Sequence, residues 1–169
     1  MTKSEFRKHC ISIEKTDDGQ VLEKIIKSNI LSNSGIVGIY YPLKNEYDIL
    51  GLLDTYKDKT FVFPRVVSSQ EIVFIKARNL ELFEDTKFSM REPVYNESNI
   101  IKVSEIDTFI VPCVGISKGK RIGFGAGYYD RYLENNNKLL IGVVNKLCIT
   151  DSVLMEDYDL AIDKVFKGE

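Results

Sequence analysis

Apolar residues along this chain follow two rhythms that take turns. Residues 3–15 mix charges with Phe6, Cys10, Ile11 and Ile13, which predicts a weakly amphipathic helix. Asp17-Asp18-Gly19 is a break, after which Val21, Leu22, Ile25, Ile26 and Ile30 recur at helical spacing. Ser32 to Gly35 reads as a loop, and residues 36–41, IVGIYY, read as a buried strand closed by Pro42. Ile49, Leu50, Leu52, Leu53 and Tyr56 predict another apolar helix face. Residues 60–64 (TFVFP) and 71–77 (EIVFIKA) predict strands, and from Glu81 to Asn99 the periodicity dissolves. Strands are expected again at 107–112 (DTFIVP) and 139–144 (LLIGVV), with a short last one inside 160–166 (LAIDKVF). Between 112 and 139 lie a Gly-rich stretch and a helix expected over about 127–135. Strands alternating with helices predict α/β layering. No repeat, low-complexity tract or linker divides the chain, so one domain over 1–169 is expected.

Composition changes this picture mainly by exclusion. At 44% apolar content, 169 residues suffice for one core. A net charge of -2 with 28% charged residues points to neither nucleic acid nor an anionic membrane. The longest apolar runs are far too short to span a bilayer, and the start, MTKSEFRKHC, lacks the apolar core of a signal peptide. Cys10, Cys113 and Cys148 form no CxxC and read as reduced thiols, so a cytoplasmic protein is expected. His9 is the only histidine, which excludes histidine-rich metal sites. Its neighbour Cys10 would point about 100° away on a helix, a poor nucleophile pair.

The chemistry concentrates in residues 121–133, RIGFGAGYYDRYL. The dinucleotide fingerprint GxGxxG fails, because Tyr128 stands where its third glycine belongs and the stretch lies late in the chain. Walker A fails too, on spacing and on the missing hydroxyl after Arg121. Alternate glycines at 123, 125 and 127 nevertheless leave the backbone open to positive φ, so that successive N–H groups can converge on an anion. A helix starting there would add its unpaired N–H groups, and Lys118, Lys120 and Arg121 supply charge. Asp130 in a first turn could hold Mg2+ beside a phosphate. The same residues also suit a plain turn followed by a helix.

Taken whole, the phrase resembles the signature of the 5-formyltetrahydrofolate cyclo-ligase family, roughly R-[LI]-G-x-G-x-G-Y-Y-D-x-[YF]-L. Other landmarks follow in order. Lys3 and Arg7 resemble the family's K-x-x-x-R, and Glu46 in residues 39–48 (IYYPLKNEYD) resembles its glutamate. Residues 61–66 (FVFPRV) and 88–93 (FSMREP) resemble V-x-x-P-R-V and aromatic-x-[IM]-x-E-P. Residues 107–117 match in part, with Cys113 for the usual glycine, and 156–166 (EDYDLAIDKVF) resemble the family's end.

The resemblance implies a single-domain three-layer α/β/α sandwich of the isomerase and CoA-transferase type. It implies an ATP- and Mg2+-dependent cyclisation of 5-formyltetrahydrofolate, with or without a polyglutamate tail, to 5,10-methenyltetrahydrofolate, with ADP and phosphate released. A monomer is expected. Lys3, Arg7, Arg121 and the backbone of Gly123, Phe124, Gly125, Ala126, Gly127, Tyr128 and Tyr129 would hold ATP. Asp130 and Asp159 would hold Mg2+. Glu46 would manage the N10 proton, and the Tyr128 hydroxyl would reach the formyl or phosphoryl group. Tyr41, Glu46 and Phe88 would contact the folate. Phe124 and Ala126 stand where the family often has Arg, and Lys or Gly, so one or two phosphate-side cations are absent. Tyr158 stands where His is common, and Asn145-Lys146 replaces an aromatic-acidic pair. A non-catalytic folate- or nucleotide-binding relative is the alternative. Another enzyme of the same fold would need neither GYYDRYL nor the Lys3/Arg7 pair.

Overall fold

Thr2 can both accept and donate, and that starts the first helix. Its hydroxyl accepts from the Glu5 N–H at 3.1 Å while the Glu5 carboxylate accepts from the Thr2 N–H at 2.7 Å, closing a capping box on α1 (Lys3–Ser12). The computed structural model describes residues 1–169, the side chain of Phe88 excepted. Asp17 caps α2 (Asp18–Ser28), whose Val21 and Ile25, four apart, are fully buried. Each such side chain contributes roughly 1.5–3 kcal/mol by leaving water. Asn29 ends α2 in the left-handed region, φ 56°.

The strands are β1 (Ile36–Gly38), β2 (Thr60–Val66), β3 (Ile72–Lys76), β4 (Glu84–Asp85), β5 (Arg91–Glu92) and β6 (Ile100–Ile101). They continue as β7 (Thr108–Pro112), β8 (Gly115–Ser117), β9 (Lys120–Ile122), β10 (Leu139–Asn145), β11 (Ile149–Thr150) and β12 (Lys164–Gly168). Two short helices complete the chain, α3 (Leu52–Thr55) and α4 (Tyr128–Tyr132). A seven-stranded sheet runs β12-β10-β7-β1-β2-β3-β6, parallel from β12 to β2 and antiparallel from β2 to β6.

Side chains alternate across this sheet, and so does the core. Phe61, Phe63, Ile110, Ile141 and Val143 face α2 and α3. Val62, Phe109, Val111 and Leu140 face α4 with Tyr128, Tyr129, Tyr132 and Leu133. The layering is therefore α/β/α, in line with the α/β layering expected from periodicity and the three layers implied by the resemblance. A third cluster seats α1, through Phe6 and Cys10, on Ile116, Ile122 and Cys148. No helix is long and apolar enough to cross a membrane among the described residues.

Several elements differ from their sequence reading. The strand expected over 36–41 stops at Gly38, although the Ile39 N–H still reaches the Val62 carbonyl at 2.9 Å. The helix expected around 49–56 is a single turn. The helix expected over 127–135 covers five residues, because Leu133 leaves helical geometry and Asn135 sits at φ 56°. Part of the Gly-rich stretch is a hairpin, β8 and β9, turned by Lys118 (φ 50°) and Gly119 (φ 75°). Two positive-φ residues match the right-handed strand twist. Leu160 and Ile162 pair with that hairpin rather than with the large sheet, so the last strand begins only at Lys164.

Gly38 sits opposite Phe109 in the β1–β7 register, and a Cβ there would run into the Phe109 ring. Phe109 is fully buried and cannot retreat. Gly38→Ala is expected to destabilise the protein by about 2–3 kcal/mol through overpacking, read as a drop in thermal midpoint.

Candidate active site

The parallel strands deliver their C-terminal ends to one side of the sheet, where ligands of open α/β sheets tend to bind. A cleft of ≈ 1000 Å³ opens there. It is lined by α1, by the segment after β1, by β5, by the loop from Gly123 to Gly127, by α4 and by the turn around Asp159.

Along α1, residues spaced by four share a face. Lys3 Nζ lies 2.6 Å from Asp159 Oδ2, and Arg7 Nε donates to the Gly123 carbonyl at 2.6 Å. These contacts tie α1 to both later segments of the expected nucleotide site. Arg121 is buried on β9, donating from Nε to the Pro112 carbonyl at 2.7 Å, with its guanidinium 4.8 Å over the Tyr129 ring. No carboxylate pairs with it among the described residues. A Cβ at Gly123 would stand 2.7 and 2.9 Å from the Arg121 terminal nitrogens, so glycine there leaves the guanidinium its present place.

Gly125 (φ 111°) and Gly127 (φ 75°) use backbone conformations that L side chains rarely adopt. Among the described residues, no N–H from Gly123 to Gly127 donates within the protein. These groups remain available to an anion. Helix α4 contributes less than its sequence suggested, since five residues carry only a small dipole. Phe124 is half exposed on this loop and Ala126 adds no charge.

Asp130 accepts from the Leu160 N–H at 3.3 Å, which brings it beside the residue following Asp159. Asp159 is buried, and its Oδ2 accepts from both Lys3 and the Glu156 N–H, each at 2.6 Å. Among the described residues no third acidic, histidine or cysteine side chain completes a metal cage. Two carboxylates without a cage fit Mg2+, which keeps waters and takes phosphate oxygens.

Glu46 follows β1, where its Oε1 accepts from the Leu43 N–H at 2.8 Å. Burial raises its pKa, against the Leu43 N–H and the charges of Arg121 and Lys15, which pull it down. Beneath it lies a second cavity of only ≈ 40 Å³, bounded by Tyr40, Cys113 and Asn145. Burial likewise pushes the Cys113 thiol up to about 11.

Not every expected residue presents itself freely. The Tyr128 hydroxyl donates to the Ser68 carbonyl at 3.3 Å, under the Arg131 guanidinium. Tyr129 is packed in the core, and burial raises its pKa. Tyr41 lines the cleft 5.5 Å beneath Arg91, whereas the side chain of Phe88 lies outside the described residues. The cysteines are free, but Cys10 and Cys148 are not isolated: their buried thiols adjoin. Sequence reasoning missed Arg91, Arg131 and Glu92 as cleft residues. Glu92 is buried and accepts from the Val66 N–H and the Thr86 hydroxyl, both at 2.6 Å. Its available signal was the motif resemblance of residues 88–93, in which Glu92 is the acid before the proline.

Comparison with known proteins identifies the family. A 5-formyltetrahydrofolate cyclo-ligase of Mycoplasma pneumoniae is 29% identical over 139 residues, covering 79% of this chain and 73% of the relative. The cyclo-ligase of Mycoplasma genitalium is 31% identical over 139 residues, 78% of this chain and 73% of its own. Among solved structures, Aquifex aeolicus 5,10-methenyltetrahydrofolate synthetase superposes with a TM-score of 0.77 at 28% identity, over 98% of this chain and 89% of that one. The family's sequence profile matches residues 4–168, and the chain belongs to the 5-formyltetrahydrofolate cyclo-ligase family of enzymes.

Proposed function

We propose that the cleft cyclises 5-formyltetrahydrofolate to 5,10-methenyltetrahydrofolate, with ATP converted to ADP and phosphate. One observation carries the reading: a single cleft joins a phosphate-type end, with the open amides of Gly123–Gly127 and an Arg121 that no carboxylate pairs, to a half-buried carboxyl of raised pKa, Glu46.

A formamide oxygen leaves poorly. Transfer of the γ-phosphoryl group makes it a phosphate, and N10 of the same folate then attacks the former formyl carbon. The carbon–oxygen bond breaks, phosphate departs with the oxygen, and N10 gives up its proton. Positioning and charge neutralisation dominate such chemistry. Arg121, Arg7, the glycine-loop amides and, once freed from Asp159, Lys3 hold the ATP phosphates. Asp130 and Asp159 hold the divalent cation, which supplies neutralisation of phosphate charge. Glu46 accepts the N10 proton, because burial makes its carboxylate a stronger base than one in water. Tyr41 contacts the folate. Tyr128 assists only after its hydroxyl leaves Ser68.

The test mixes purified protein with 5-formyltetrahydrofolate, ATP and Mg2+ and follows the near-UV absorbance of the methenyl product. ATP-dependent growth of that signal is expected. Folded protein that binds the folate without producing it would instead be a non-catalytic relative, consistent with the cations missing at Phe124 and Ala126.

A further inference from the structure

Each cation at the phosphate end of the cleft is engaged near the glycine loop or the Asp159 turn. Lys3 holds Asp159, Arg7 holds the Gly123 carbonyl, and Arg121 lies against Tyr129. Arg91 stands elsewhere, on the β4–β5 ribbon beside β2. Its Nη2 donates to the Phe83 carbonyl at 3.0 Å, and its guanidinium lies 5.5 Å over the Tyr41 ring. Its nearest carboxylate, on the exposed Asp85, is 3.9 Å from Nε, too far for a hydrogen bond. Nε is buried with no hydrogen-bond partner among the described residues. The adjacent Glu92 does not compensate it, since that carboxylate is taken by Val66 and Thr86.

A guanidinium fork fixed by a carbonyl and an aromatic face, its one neighbouring carboxylate an exposed aspartate beyond hydrogen-bond reach, is prepared for a closer one. The cleft that Arg91 lines also carries the apolar surface of Tyr41, Met90, Val66 and Ile72, and low polarity strengthens a charged contact. The substrate proposed above has a matching sequence of parts. Its pterin is placed against Glu46, an apolar aminobenzoyl ring follows, and a glutamyl group with two carboxylates ends it.

We propose that Arg91 binds a carboxylate of the substrate's glutamyl tail, its guanidinium held ready by the Phe83 carbonyl and the Tyr41 ring. Arg91 is then the specificity residue that separates folates from pteroates. This rests on the folate reading above.

The experiment compares 5-formyltetrahydrofolate with 5-formyltetrahydropteroate, which lacks the glutamate. In the wild type, loss of the glutamate is expected to raise KM by about 10- to 100-fold with kcat little changed, the usual scale for a hydrogen-bonded charge. In Arg91→Met the two substrates should share one raised KM, and Arg91→Lys should fall between. A wild type that turns over both substrates with equal KM overturns the proposal while leaving the folate reading intact. So does an Arg91→Met variant that discriminates as the wild type does. If Arg91→Met does not fold, the wild-type comparison and Arg91→Lys decide. Turnover of neither substrate by folded wild type sinks the folate reading and this proposal with it.

Discussion

Glu46→Gln is expected to lower kcat by about 10²- to 10⁴-fold, the usual worth of a positioned general base, while raising the thermal midpoint at neutral pH. The two effects share a cause. Glutamine keeps an oxygen for the Leu43 N–H but cannot take a proton from N10. It also removes a charge whose burial is unfavourable. The sign follows from linkage: burial lifts the folded-state pKa above its unfolded value. Between those two values the native state binds more protons, so stability falls as pH rises through that window. The deficit is complete above the folded value and absent below the unfolded one. The gain in midpoint should therefore be present near neutrality and vanish in acid, where Glu46 is protonated in both states. Melting curves of both proteins across pH, beside single-turnover rates, check this. Equal midpoints at neutral pH would remove burial as the source of the raised value.

Asp130→Asn is expected to reduce Mg2+-dependent turnover at least 100-fold with little change in folding, on the scale of losing charge stabilisation in phosphoryl transfer. Its one hydrogen bond, from the Leu160 N–H, can be kept by asparagine. Asp159 is a less clean probe, because it also anchors α1 through Lys3 and fixes the turn at Glu156. That ion pair has its own consequence. A cation arriving alone must compete with Lys3 for Asp159, whereas one arriving with a polyphosphate offers Lys3 a replacement anion. Mn2+ should thus bind weakly to the free protein, more tightly with ADP, and more tightly without ADP in Lys3→Met. Electron paramagnetic resonance of bound Mn2+ reads all three, independently of catalysis. Unchanged Mn2+ binding in Lys3→Met would show that Lys3 does not guard the carboxylate.

What could be read from the chain divides by range. The α/β layering was legible because period-2 and period-3.6 segments report burial directly, as Val21 and Ile25 on α2 and Phe61 and Phe63 on β2 show, whereas the count of three layers came from the resemblance. Element ends were less so. The short α4 is set by Leu133 and Asn135, whose conformations leave no strong mark in composition. The hairpin at Lys118-Gly119 hid inside what looked like loop chemistry. Of the site, the glycine loop and its family phrase were legible because they are contiguous. The convergence of Lys3, Asp159 and Asp130 came from motif resemblance, since no local physics links residues 156 apart. Arg91 escaped notice because its significance lies in what it lacks, a hydrogen-bonded carboxylate, and only tertiary structure reveals that. The engagement of Tyr128 by Ser68, on a hairpin loop distant in sequence, was equally unreadable.

The docking of α1 makes the first helix a reporter of the whole cleft. Phe6 and Cys10 seat it, and Lys3 and Arg7 fasten it through groups at the proposed nucleotide end. A ligand gripped by Lys3 and Arg7 binds only chains in which α1 is docked. Local opening of α1 and vacancy of the cleft are therefore one linked equilibrium, shifted by the factor 1 + [L]/Kd for a ligand at concentration [L]. Amide hydrogen exchange in α1 should slow in proportion to nucleotide saturation even though the cleft floor hardly moves. Occupancy of the centre is thereby written into the persistence of the fold's most peripheral helix.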